Sequence, residues 1–235
     1  MALGWILIVW PWRHCWQINN SNLVKETELI DEYISRHIEG EHPYLYKLYR
    51  DSNLYLVHGH MISGHVQGTF LHMMVKLLTP KRILEIGTYT GYSCLSMASA
   101  LSEGGKILTY EINDEMEDFT RPRINASPWA DKVDFRIGNV LTDLPQDAGP
   151  FELVFIDGNK RQYVEYYELV LSVLVSGGLI IADNTLWDGH VIDAAYDRDA
   201  QTKGIRAFND LVAQDDRVEK AILPLRDGLT LIRKK

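Results

Sequence analysis

Two groups of residues in this 235-residue chain have the types and spacing that catalysis asks for. In the first, Asp157-Gly158-Asn159-Lys160 and Asp183-Asn184 place two carboxylates and an amide oxygen at the ends of separate apolar runs. Short oxygen side chains suit a hard divalent cation. Mg²⁺ takes six oxygens at about 2.0–2.1 Å, so Asp157, Asp183 and Asn184 would leave positions for substrate and water. Either aspartate alone favours the reading as a cap for the segment after it; both together, at adjacent strand ends, favour the cation. Lys160, three residues past Asp157, is a candidate general base beside such an ion. In the second group, Glu85-Ile86-Gly87-Thr88-Tyr89-Thr90-Gly91-Tyr92-Ser93 follows an apolar run and opens a helical pattern. Gly87 permits a tight turn and Gly91 a close backbone approach, and the helix start offers unpaired N–H groups to an anion. Glu111 ends the next apolar run, where a carboxylate can accept from both hydroxyls of a ribose. The glycine turn and the acid together favour a bound nucleoside over an empty βα turn.

Other clusters read more plainly. His58, His60 and His65 bunch together but lack a fourth zinc ligand at suitable spacing, so they read as pocket-rim or solvated residues. Tyr163, Tyr166, Tyr167 and Val170 have helical spacing and read as packing. Trp187 and Tyr196, within 186–200, are either walls of a ligand pocket or ordinary loop packing.

These residues need elements to position them. Short apolar runs recur at 82–86, 106–111, 133–137, 153–157 and 178–183, each followed by a polar turn and, between runs, a helical pattern. That alternation predicts right-handed βαβ crossovers and a parallel sheet covered on both faces. VEKAILPL and LTLIR flank Arg226-Asp227-Gly228, a hairpin signal that predicts an antiparallel edge. The fold class is therefore α/β, a seven-stranded, mostly parallel, doubly wound sheet with an antiparallel C-terminal hairpin. Extra helices are predicted before it, over 23–38 with Asn22 as N-cap, from Pro43 to about Tyr49, and from Gly64 to Leu78. Ligands of such sheets sit beyond the carboxyl ends of the strands, where both groups fall.

Composition narrows the function. With 24 Lys+Arg against 32 Asp+Glu the formal charge is −8, and the longest basic run is the closing Arg233-Lys234-Lys235. Nucleic acid is a poor partner for such a chain. Two cysteines, Cys15 and Cys94, exclude a disulfide scaffold and fit a reducing cytoplasm. Leu3 to Trp10 is apolar but far short of the about 20 residues of a membrane span. It lacks the flanks of a signal peptide, with no basic residue before it and no small-x-small site after. Residues 1–20, which hold four of the six tryptophans, are expected to be a tail outside the fold, and 21–235 a single domain.

From about Leu23 to Arg233 the chain resembles the cation-dependent O-methyltransferases, the group of catechol and caffeoyl-CoA O-methyltransferases. The likeness rests on EIGTYTGYS (85–93), Glu111, FIDGNK (155–160), ADNTLW (182–187) and LPLRDGLTL (223–231), and is nearest to the small bacterial enzymes. It implies S-adenosylmethionine (SAM) as methyl donor, in a pocket lined by Ser63, Glu85, Gly87, Thr88, Ser93, Glu111, Val140 and Asp157. It further implies Asp157, Asp183 and Asn184 as ligands of Mg²⁺, or of Mn²⁺ or Ca²⁺, with Lys160 as base and Asp157 beside it in the catalytic group. A vicinal-dihydroxy aromatic acceptor and a homodimer follow from the same likeness. Asn159 stands where the animal catechol enzyme has a tryptophan. Two other classes fit parts of the pattern: a metal-independent SAM methyltransferase and a non-catalytic nucleoside-binding module. An NAD oxidoreductase does not, because Tyr89 occupies a position where its fingerprint needs glycine.

Overall fold

The predicted alternation of runs and helices is realised as one seven-stranded sheet in the computed structural model, which describes residues 29, 30 and 32–235. The expected tail over 1–20 and the Asn22 cap lie outside the described residues. The described residues divide into two units, one ending at Gly40 and one running from Glu41 to Lys235. In the first, residues 29, 30 and 32–37 are helical.

In the second unit the strands are β1 (Arg82–Ile86), β2 (Lys106–Glu111), β3 (Val133–Ile137), β4 (Phe151–Ile156), β5 (Leu174–Ala182), β6 (Val218–Leu223) and β7 (Leu229–Lys234). Their order is β3-β2-β1-β4-β5-β7-β6. The first five are parallel; β7 runs antiparallel between β5 and β6. The helices are α1 (Pro43–Tyr55), α2 (Gly64–Leu78), α3 (Tyr92–Ala100), α4 (Glu117–Asn125), α5 (Val140–Asp143), α6 (Tyr163–Val173) and α7 (Ala200–Gln214).

Strand pleating sends alternate residues to opposite faces. Leu84, Ile86, Val154, Ile156, Ile180 and Ala182 bury against α6 and α7, through Tyr163, Tyr167, Ile205 and Phe208. Ile83, Leu153, Phe155, Leu179 and Ile181 bury against α2 and α3, through Leu71, Val75, Cys94 and Met97. A sheet covered on both faces needs continuous apolar strands, which is why β4 reads FELVFI.

Two elements depart from the sequence expectation. Helix α1 continues six residues beyond Tyr49, because Ser52 and Asn53 bond back to the carbonyls of Leu48 and Tyr49 instead of breaking the helix. Strand β5 starts at Leu174 and not at 178: its pairing with β4 slips between Phe151 and Leu153, and Gly177 (φ +80°) lies in that bulge.

Candidate active site

The strand order reverses between β1 and β4, and a cavity of about 770 Å³ opens at their carboxyl ends. Its walls include Gly87, Tyr89, Glu111, Ile112, Val140, Asp157 and Asn159, together with His58 and Met61 from the segment after α1. At Gly87 the turns after β1 and β4 touch backbone to backbone. Its φ is +95°, and a Cβ there would stand 2.3 Å from the Asp157 carbonyl oxygen, so no other residue fits.

Glu111, almost buried at the end of β2, accepts the Tyr89 N–H at 2.7 Å through Oε2 and the Asn113 N–H at 2.9 Å through Oε1. Each oxygen keeps acceptor capacity for a further donor. Four residues expected on the pocket wall stand elsewhere. Glu85, Thr88 and Ser93 lie behind it: Glu85 is fully buried and accepts from Ser93 Oγ at 2.6 Å and Thr109 Oγ1 at 2.5 Å, while Thr88 and Thr109 share a 2.6 Å bond. Burial pushes the Glu85 carboxyl up to about 7. Ser63 starts α2 without a capping bond from its side chain.

The second group converges beyond β4 and β5. Lys160, 7% exposed, donates to Asp157 Oδ1 at 2.6 Å and to the Tyr163 hydroxyl at 2.8 Å. Burial holds the Tyr163 phenol well above its ordinary range, so it keeps its proton and donates it to the Asp183 carbonyl at 2.9 Å. The Asp183 carboxylate accepts its neighbour's N–H, from Asn184 at 2.7 Å, and Gln67 Nε2 at 2.5 Å. Its carboxyl is raised above the ordinary carboxylate range, first by burial and then by the charge of Asp157. A divalent cation would relieve both costs, so these residues fit a hard ion. Among the described residues no three His, Cys, Asp or Glu side chains converge, so Asn184 would have to complete the set. His58 and His60, rings 5.9 Å apart, form no such centre.

Trp187 lies beside this group, its ring 5.9 Å from Lys160 Nζ, and His190 stacks on Tyr196 at 3.5 Å. Arg206 from α7 holds this loop by donating to the carbonyls of His190, Val191 and Asp193 and to Asp197. Tyr163 packs as the sequence predicts, but its role beneath Lys160 was not foreseen. Gln67, Arg226 and Asp227 were missed as well. Arg226-Asp227 did stand out as a turn signal, whereas nothing local marks Gln67.

A sheet of order 3-2-1-4-5-7-6 with an antiparallel last hairpin, carrying a glycine turn and a strand-end acid on its central cleft, defines an α/β methyltransferase. Residues 34–235 match the O-methyltransferase family, and the chain belongs to it. Caffeoyl-CoA O-methyltransferase 2 of Zea mays is 37% identical over 93% of this chain and 87% of its own length. The O-methyltransferase from Bacillus cereus, solved in complex with SAH (S-adenosylhomocysteine), superposes with a TM-score of 0.82 at 31% identity, covering 88% of this chain and 97% of that one. TomG of Streptomyces achromogenes, involved in tomaymycin synthesis and solved with SAM, gives 0.80 at 28% identity, covering 88% and 96%. This protein is thus an O-methyltransferase. No helix among the described residues is long and apolar enough to cross a membrane.

Proposed function

We propose that the enzyme transfers a methyl group from SAM to one hydroxyl of a vicinal-dihydroxy aromatic small molecule and depends on a divalent cation. The observation that carries this reading is the hydrogen-bonded group of Asp157, Lys160, Asp183 and Asn184, which meets the cleft lined by Glu111 through Asp157. The ligands seen in the Bacillus and Streptomyces relatives support SAM, and the likeness to caffeoyl-CoA enzymes supports an ortho-diphenol.

In this reading Glu111 accepts from the ribose hydroxyls of SAM, and the turn from Gly87 carries its methionine end, buttressed by Glu85, Thr88 and Ser93. Val140 completes the pocket wall. Asp157, Asp183 and Asn184 would hold Mg²⁺, or Mn²⁺ or Ca²⁺. That ion, when bound, would stabilise negative charge on the acceptor oxygen. Lys160 acts as base in its neutral form. The neutral amine retains two N–H bonds, enough to keep Asp157 and Tyr163, and its lone pair takes the acceptor's hydroxyl proton. The oxygen then forms a bond to the sulfonium methyl as the carbon–sulfur bond breaks, and the electron pair leaves with sulfur. Attack merges opposite charges, so a site with a buried Lys160 and Asp183 favours it over open water. Holding both reactants in line supplies much of the rate. A homodimer rests on the family likeness alone.

The test is turnover of SAM on a panel of ortho-diphenols with Mg²⁺ and with EDTA. The reading expects turnover with Mg²⁺, loss in EDTA and poor rates on mono-phenols. Full activity in EDTA with equal rates on mono-phenols would overturn the metal mechanism and leave the family intact.

A further inference from the structure

The loop 184–189 and the β6–β7 turn interlock next to the proposed cation site. Thr185 N–H donates to the Gly228 carbonyl at 3.0 Å and Leu186 N–H to that of Asp227 at 2.8 Å. Four of the six described non-glycine residues with positive φ lie in these two segments: Asn184, Trp187, Asp188 and Arg226. Left-handed backbone in such residues costs on the order of 1–3 kcal/mol each and persists only where surroundings enforce it. Something at this junction is therefore being held in place.

The side chains show what. Arg226 Nη1 donates to Gln67 Oε1 at 3.3 Å and to the Ile62 carbonyl at 3.2 Å. A guanidinium only donates, so it fixes which end of the Gln67 amide faces it and turns Nε2 toward Asp183 Oδ2. Gln67 is 1% exposed and has no room to do otherwise. Asp227 acts on the next residue. Its Oδ1 accepts the Asp188 N–H at 2.7 Å, and its Oδ2 faces Asn184 Nδ2 at 3.5 Å. A carboxylate only accepts, so the Asn184 amide must present its nitrogen to Asp227, which leaves its oxygen for another partner. One dipeptide thus orients both Asp183 and Asn184, through opposite chemistry: a donor acting through Gln67, and an acceptor acting directly.

We propose that Arg226 and Asp227 are positioning residues that set the geometry, and hence the affinity, of the cation site. This rests on the reading of Asp183 and Asn184 as cation ligands. Partners of ligands of this kind typically contribute about 10- to 100-fold in metal affinity.

The experiment is calorimetric titration of Mg²⁺, and separately Mn²⁺, into the SAH-saturated protein, comparing wild type with Arg226→Ala, Asp227→Asn and the pair. Melting temperatures and SAH affinity are measured alongside. Asp227→Asn removes one of two acceptor oxygens and is nearly isosteric, so it tests the proposal even if Arg226→Ala fails to fold. The expected result is cation binding weakened about 10-fold or more in each single variant, with SAH affinity within a factor of about two. Turnover lost at low Mg²⁺ should return as Mg²⁺ is raised, and Arg226→Lys should restore part of the affinity. Wild-type affinity for the cation in both single variants overturns the proposal while the cation reading stands. A rate loss that no Mg²⁺ concentration rescues also overturns it, since the defect then lies elsewhere. Absence of cation binding in the wild type removes the cation reading, and this inference with it.

Discussion

Glu111 and Asp183 are both acids at the carboxyl ends of strands, with β1 and β4 between their own, yet they are held in different ways. Glu111 is fixed by the main-chain N–H groups of Tyr89 and Asn113. Asp183 is fixed by one main-chain N–H and by Gln67, 116 positions away, which leans on Arg226 in turn. On the proposed reading, the donor half of the site is built largely from backbone that the fold itself sets. The acceptor half is a network in which side chains hold side chains, so that losing one member disturbs the rest. Single substitutions should therefore act locally in the first half and spread in the second.

The largest effect should come from Asp183→Ala. Loss of a cation's charge stabilisation is worth several kcal/mol, so turnover should fall about 10³-fold or more. SAH affinity by calorimetry should stay unchanged; a parallel loss would show the two halves to be coupled and break the contrast. Next comes Lys160→Met, with a rate loss of about 10²–10⁴-fold that shrinks as pH rises and the acceptor ionises unaided. A pH–rate profile checks it, and a pH-independent loss would reassign Lys160 to positioning. Glu111→Ala should weaken SAM by about 10- to 150-fold, the worth of roughly 1.5–3 kcal/mol of bonds to a charged group, without touching cation affinity. Calorimetry with each ligand separately decides this.

The smallest effect sharpens the comparison beneath the donor half. Burial raises the folded-state Glu85 carboxyl to about 7, above the ordinary value of 4.5. The folded state then binds a proton that the unfolded state has lost, so stability should fall as pH rises from about 4.5 through 7. The slope is at most about 1.4 kcal/mol per pH unit for one proton. Glu85→Gln should flatten that slope in denaturation measured across the same window. An unchanged slope would place its origin in another group.

The same contrast explains what could be read from the chain alone. RILEI, KILTYE and VDFRI are strands over the predicted residues, because each apolar run ends in its own turn. Gly87, Glu111, Asp157, Asp183 and Asn184 stood out because each ends or directly follows such a run. Gln67 was not: mid-helix on α2, it acquires meaning only when Arg226 and Asp183 arrive from 159 and 116 positions away. Tyr163 was read correctly as packing, and its hydroxyl's bonds to Lys160 and Asp183 depend on α6 starting where the ends of β4 and β5 meet. Gly177 misled for the opposite reason, since a bulge inside a strand looks locally like its beginning.

Arg206 has a consequence for how this enzyme can diverge. Three of its four loop partners are carbonyl oxygens, of His190, Val191 and Asp193, which every amino acid supplies. Only Asp197 is a side chain. The strap therefore keeps the loop's path while remaining indifferent to most of the side chains along it. The side chain of His190 can change without removing the bond that Arg206 makes to its carbonyl. On the proposed reading of this loop as a wall of the acceptor pocket, substitutions along it would change which acceptor fits while Arg206 keeps its path.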